Sequence, residues 1–216
     1  MPGARRRLAR VTEPVTQAWQ RITAVLREHA PATAHAIHPA GPADNIRELE
    51  RIVGRRLPAD LLTWWSVTDG VDDRRDYRAG SLIPTHFMPL SVTRAREEYA
   101  GNAEYPDPGC CTAYGEHRKP AGEPAFPYCT ALVPVCRSID GGLLCVDLRP
   151  GQDHGCVMTW YASEGAYAVE WDDVTAMLAY VAERLDDHAA GRVPDRPESR
   201  VVIDNDGALN WGMAAN

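Results

Sequence analysis

The stretch that most constrains the fold runs from Leu57 to Gly70 and reads LPADLLTWWSVTDG. Pro58 suits the first turn of a helix, where its missing N–H would lack a partner anyway, and Asp60 in that turn meets the positive end of the helix dipole. Leu61, Leu62, Trp64 and Trp65 then give a short helix with bulky apolar side chains. Asp69-Gly70 supplies the stop, because glycine enters the left-handed region without a Cβ clash. The core is expected to grow from this helix, with Trp19, Leu61, Trp65, Val146 and Leu178 buried together.

Ahead of it, Val15, Trp19, Ile22 and Leu26 recur at helical spacing, with Thr12 as a candidate cap, Pro14 in the first turn and Pro31 as the terminator. Ala30 to Pro42, rich in Ala, Pro and His, reads as a connection. Asp44 opens a second helix with Ile46, Leu49, Ile52 and Val53 on its buried side and Gly54 closing it. After Gly70 the chain turns polar: Asp72, Asp73, Arg74, Arg75, Asp76, Tyr77 and Arg78 crowd one loop. Burying charge at that density would carry a large desolvation penalty, so the loop is expected to face water or a partner.

Leu82-Ile83 is a short strand candidate, and Val92 to Tyr99 a helix capped by Ser91 or Thr93. From Gly101 to Pro127 five prolines and several glycines predict a long surface excursion. Leu132 to Arg137 and Leu143 to Leu148 flank the turn Asp140-Gly141-Gly142, and Cys156 to Tyr161 and Ala166 to Trp171 follow after further glycine turns. These four runs predict an antiparallel meander. Asp172 or Asp173 then caps a helix whose Val174, Met177, Leu178, Val181 and Leu185 share a face. The fold class is therefore α+β, a mostly antiparallel sheet flanked by helices. Residues 1–11 read as a flexible basic tail, 12–190 as the domain, and 191–216 as an extension with a small hairpin about Asp206-Gly207.

Several pieces occur in an order that resembles the SMI1/KNR4 family, also called the SUKH superfamily. They are the Leu57-Pro58-x-Asp60-Leu61 helix start, the Asp69-Gly70 stop, Ile83-Pro84 leading to Met88-Pro89-Leu90, and Val133-Pro134-Val135 through Gly155. The resemblance spans roughly Trp19 to Leu185. It implies a single α+β domain that binds other proteins, most often as the immunity partner of a bacterial toxin such as a nuclease, and it brings no catalytic residue. A small cytoplasmic enzyme, metal-dependent or hydrolase-like, and a regulatory scaffold with no toxin partner are the alternatives.

Charge narrows the partner. With 216 residues, a net charge of −7 and a pI near 5.5, the chain has no general attraction to nucleic acid or anionic lipid, which is compatible with the protein partner that the resemblance implies. Arg5, Arg6 and Arg7 are not followed by the apolar run of a signal peptide, and no run approaches the ~20 apolar residues of a membrane span, so a cytoplasmic location is expected. Asp69, Asp72, Asp73, Asp76 and Tyr77 form the expected partner surface: an acidic loop opposing a basic protein face, with a tyrosine as anchor.

No catalytic, metal or cofactor site is expected. Six cysteines form no CxxC pair; Cys136, Cys145 and Cys156 fall in strand-like runs and are expected to be reduced and packed in the sheet. The nearest approach to a zinc set is Cys110-Cys111 with His117, read as ordinary thiols because adjacent side chains diverge in most backbones. Asp147, His154 and Ser163 can be drawn as a triad, but a strand end and a turn account for them without chemistry. Asp204-x-Asp206-Gly207 lacks the closing Glu of a calcium loop and reads as a turn.

Overall fold

The computed structural model describes residues 13–71, 79–111 and 117–212. Helix α1 (Val15–His29) buries Val15, Trp19, Ile22 and Leu26, the apolar face set by their spacing. Pro14 takes its N-cap position, and the Thr12 expected as a cap lies outside the described residues. The connection from Ala30 to Pro42 is not all loop: α2 (Pro31–Ala36) starts with proline at its first position and continues on alanines. The buried Thr33 hydroxyl on α2 donates to the Ala79 carbonyl at 2.6 Å and accepts from the Leu209 N–H at 2.8 Å, tying three distant segments together.

Helix α3 (Ala43–Val53) ends on Gly54 in the left-handed conformation, φ 70°. Leu49 and Val53 are buried and Ile46 half-buried, whereas Ile52 stands 37% exposed. Ile52 was expected inside; it lies about 100° around the helix from Val53, beyond the stripe that meets the core. Helix α4 (Ala59–Trp65) is the anchor helix, with Leu61, Trp64 and Trp65 fully buried and Trp64 packed edge-on to Trp19 at 6.1 Å between ring centroids. Its Asp60 accepts from the Thr175 N–H at 3.2 Å, joining α4 to the start of α6 (Val174–Ala189).

The expected meander is present and gains a strand. Strands β1 (Phe87–Pro89), β2 (Leu132–Ser138), β3 (Leu143–Asp147), β4 (Val157–Tyr161) and β5 (Gly165–Trp171) form one antiparallel sheet in sequence order. The added edge strand is β1; Leu82-Ile83, expected as a strand, makes only the Ile83 bridge to Phe87. Helix α5 (Val92–Ala103) packs on β2, its first turn capped by Ser91, whose hydroxyl accepts from the Arg94 N–H at 3.2 Å. Helices α1, α4 and α6 pack together, and Asp173 caps α6 by accepting from the Ala176 N–H at 2.6 Å. Trp19, Leu61, Trp65, Val146 and Leu178 all belong to the single buried cluster.

The Gly101–Pro127 excursion is not a free surface loop. Ala125 exchanges both backbone hydrogen bonds with Ala166 on β5, at 2.9 and 2.8 Å. The close approach requires glycine next door: a Cβ on Gly165, φ 73°, would sit 2.2 Å from the Ala125 carbonyl oxygen. Tyr128 stacks edge-on between Tyr99 of α5 (6.3 Å) and Trp160 of β4 (5.6 Å), and the Trp160 indole donates to the Pro127 carbonyl at 2.7 Å. Prolines and glycines here shape a cover for the sheet.

Cys136, Cys145 and Cys156 are free thiols with no exposed surface, and burial pushes the Cys156 thiol up to about 12. Near the C-terminus β6 (Val201–Ile203) and β7 (Leu209–Trp211) form a hairpin that docks on the body through Trp211, whose indole donates to the Ser81 carbonyl at 2.9 Å. Asp204 accepts from the N–H groups of Asp206 and Ala208, an ordinary turn between them. Among the described residues no helix is long and apolar enough to cross a membrane.

Candidate functional site

The outward side of β4 and β5, Tyr180 from the middle of α6, and residues 196–199 line an open groove of about 410 Å³. Its walls are aromatic: Tyr161 and Tyr167 stand 6.4 Å apart, Trp171 and Tyr180 6.3 Å apart, and Phe87 also lines it. Strand alternation places them there, since Ala166 points into the core and Tyr167 beside it is 43% exposed. Polar groups are already aligned. Thr159 donates to Glu170 at 2.8 Å, the Tyr180 hydroxyl donates to Ser199 at 2.6 Å, and the Tyr161 hydroxyl donates to Asp140 at 3.1 Å. The Ser138 hydroxyl bond, together with Gly142 and Tyr161, holds the Asp140 carboxyl below its ordinary value. Broad aromatic faces with hydrogen-bonding tips suit protein contact. Sequence reasoning missed this groove, although an aromatic at an outward strand position such as Tyr167 was a usable signal.

The expected partner surface is only partly visible. Asp72, Asp73, Asp76 and Tyr77 lie outside the described residues. Asp69 is half-buried and serves the fold, accepting from the Val92 N–H at 2.8 Å at the start of α5. The residues flanking the loop are fixed: His38 N–H donates to the Gly70 carbonyl at 3.0 Å, and Val71 N–H to the Pro89 carbonyl at 3.0 Å.

A second arrangement lies inside the excursion. Cys110, Cys111, Cys129 and His117 converge, with Cys110 and Cys129 fully buried and the other two half-buried. Cys129 Sγ is 3.4 Å from Cys110 Sγ and 3.7 Å from Cys111 Sγ. His117 Nδ1 is 4.0, 3.6 and 3.4 Å from the sulfurs of Cys110, Cys111 and Cys129. The expectation that adjacent cysteines diverge fails for a physical reason. Cys110 and Cys111 both donate their N–H to the Asp107 carbonyl, at 3.1 and 2.8 Å, so the backbone curls in a tight turn in place of a pleat. Cys129, which the sequence reading left out of any ligand set, comes from just past the Pro127 end of the excursion.

Charge around the cluster is arranged by Arg149 and Asp147, both without exposed side-chain surface. Arg149 donates Nε and Nη2 to the two Asp147 oxygens at 3.0 and 2.7 Å, and Nη1 to Cys110 Sγ at 3.6 Å. Burial alone would lower the guanidinium; the Asp147 hydrogen bonds and charge outweigh it and raise it. The hydrogen bond shared with the Cys129 sulfur, with help from His117 and Arg149, holds the Cys110 thiol below its ordinary value, while the same bond and burial push Cys129 up. Asp147 is thus committed to Arg149, and His154 Nδ1 meets the Arg149 carbonyl at 3.0 Å, which leaves the drawn Asp147/His154/Ser163 triad without its central contact.

Comparison with known families returns a match to the SMI1 / KNR4 family (SUKH-1) over residues 42–180. No curated protein matches the chain.

Proposed function

Because the chain belongs to the SMI1/KNR4 family, we propose that it is a protein-binding immunity protein that neutralises a bacterial toxin by direct contact. The observation that carries this reading is the extent of the family match. It runs from the start of α3 into α6 and takes in all five strands of the main sheet, the frame of a family that includes immunity proteins. The groove walled by Tyr161, Tyr167, Trp171 and Tyr180 supports it with the side chains that commonly anchor interfaces.

Charge gives the partner its class. A net charge of −7 complements a basic protein surface, such as the nucleic-acid groove of a nuclease toxin, and Asp72, Asp73 and Asp76 are the carboxylates offered to it. The protein acts by covering that groove and performs no chemistry on its partner. Tyr77, in the same segment, is the expected anchor.

The test uses the reading frame beside this one. Its C-terminal module is expressed in a bacterial host with and without this chain. Growth arrest by the module alone, relieved by the chain, with a stable complex on size exclusion, is the expected result. A harmless module, or arrest that the chain leaves untouched without binding, overturns the reading.

A further inference from the structure

We propose that Cys110, Cys111, Cys129 and His117 form a structural zinc site. The argument is geometric. Four ligands arranged tetrahedrally around zinc, with sulfur at about 2.3 Å and nitrogen at about 2.0 Å, stand about 3.8 Å apart for sulfur pairs and about 3.5 Å for sulfur and nitrogen. The two sulfur separations to Cys129 are 3.4 and 3.7 Å, and the nitrogen separations 3.4, 3.6 and 4.0 Å. All four ligand atoms lie within 4.8 Å of one another. A disulfide needs sulfurs about 2.05 Å apart, so none of these pairs is bonded.

The surroundings are built for an ion with thiolate ligands. Arg149 Nη1 donates to Cys110 Sγ at 3.6 Å, and the Thr130 hydroxyl donates to Cys111 Sγ at 3.7 Å. Three thiolates and a neutral imidazole leave a zinc site with one net negative charge, and the buried Arg149 stands against it. Outer partners of this kind orient ligands and tune affinity. The loop is clamped independently by Asp107, whose carboxylate accepts from Gly109 N–H (2.7 Å), Phe126 N–H (3.0 Å) and Lys119 Nζ (3.1 Å). Soft sulfur ligands with one imidazole select zinc over magnesium or calcium. Because the protein fills all four positions, the ion holds no open site for catalysis; it ties the middle of the excursion to the residue pair that follows Pro127.

The test is made on the full chain purified without chelators. Elemental analysis should find one zinc per chain. Replacing the metal by Co2+ should give the intense visible bands of tetrahedral, thiolate-rich cobalt, with a sulfur-to-cobalt charge-transfer band in the near ultraviolet. His117→Ala, which removes a ligand outright, should weaken binding by more than the about 10–100-fold that loss of an outer partner costs. Cys129→Ser should abolish stoichiometric metal, and Cys136→Ala, which alters a thiol away from the cluster, should leave it intact. If Cys129→Ser does not fold, the cobalt spectrum of the unaltered chain decides by itself. Absence of those bands after reconstitution, a Cys110–Cys129 disulfide in non-reducing mass spectrometry, or full metal retention in both His117→Ala and Cys129→Ser overturns the site.

Discussion

Asp147 is the residue on which the most buried polarity converges. It accepts from Gly122 N–H at 2.9 Å, from Arg149 N–H at 2.9 Å, and from the Arg149 side chain in a forked pair. A buried ion pair is a poor source of net stability, but removing one member strands the other without water. Asp147→Asn should therefore destabilise the fold by about 3–5 kcal/mol in chemical denaturation, because the guanidinium keeps its charge and loses its counter-ion. A loss below about 1 kcal/mol would show that solvent reaches Arg149 in a way its burial denies. This pairing was not legible in the sequence. Asp147 closes a strand and Arg149 opens a turn, and only the packing of Met158, Cys110 and the Glu123 carbonyl around the guanidinium gives it a buried place.

At the scale of elements, periodicity carried the reading well. The buried faces of α1, α4 and α6 follow from the spacing of Trp19, Leu61, Trp65 and Leu178, because a helix turns its side chains at a fixed angle whatever it packs against. Trp65→Ala should accordingly cost about 3–5 kcal/mol in denaturant unfolding as a large-to-small core change. Edge strand β1 and the cysteine cluster were not legible. The first has three residues and needs its partner Cys136–Ser138 to become a strand; the second needs a turn at Asp107 and a contact across the excursion. The packing of α1 on α6 also carries a pH dependence. His29 and His188 meet edge to face at 5.9 Å, and burial, then the charges of His29 and Arg200, hold His188 below its ordinary value. Folding therefore makes His188 harder to protonate, and its contribution is complete above the unfolded pKa of about 6.5 and lost as pH falls below it. Stability measured between about pH 7 and pH 5 should decline in the unaltered protein and decline less in His188→Gln. Equal slopes in the two proteins would assign the decline to other groups.

Across the whole molecule the two candidate contact regions differ in kind, and kinetics can tell them apart. The groove offers aromatic area from Tyr161, Tyr167 and Tyr180 with its hydrogen bonds already formed, so its contribution to a complex would come from contacts made only once bound. The segment after Gly70 offers charge, and charge acts before contact by steering encounter through a field that salt screens over about 8–10 Å. Replacing Asp72, Asp73 and Asp76 together by Asn should thus slow association with a basic partner and flatten its salt dependence, with dissociation changed less. Tyr77→Ala and Tyr167→Ala should act on dissociation. Thermal unfolding should hardly move in the triple Asn protein, because a segment this rich in charge is expected from its sequence to face water, where substitutions usually stay within about 0.5 kcal/mol. The measurement is a kinetic binding assay with a co-purified partner at two salt concentrations. Unchanged association in the triple Asn protein would remove the acidic segment from the interface, and faster dissociation in Tyr167→Ala with unchanged dissociation in Tyr77→Ala would place the contact at the sheet groove instead.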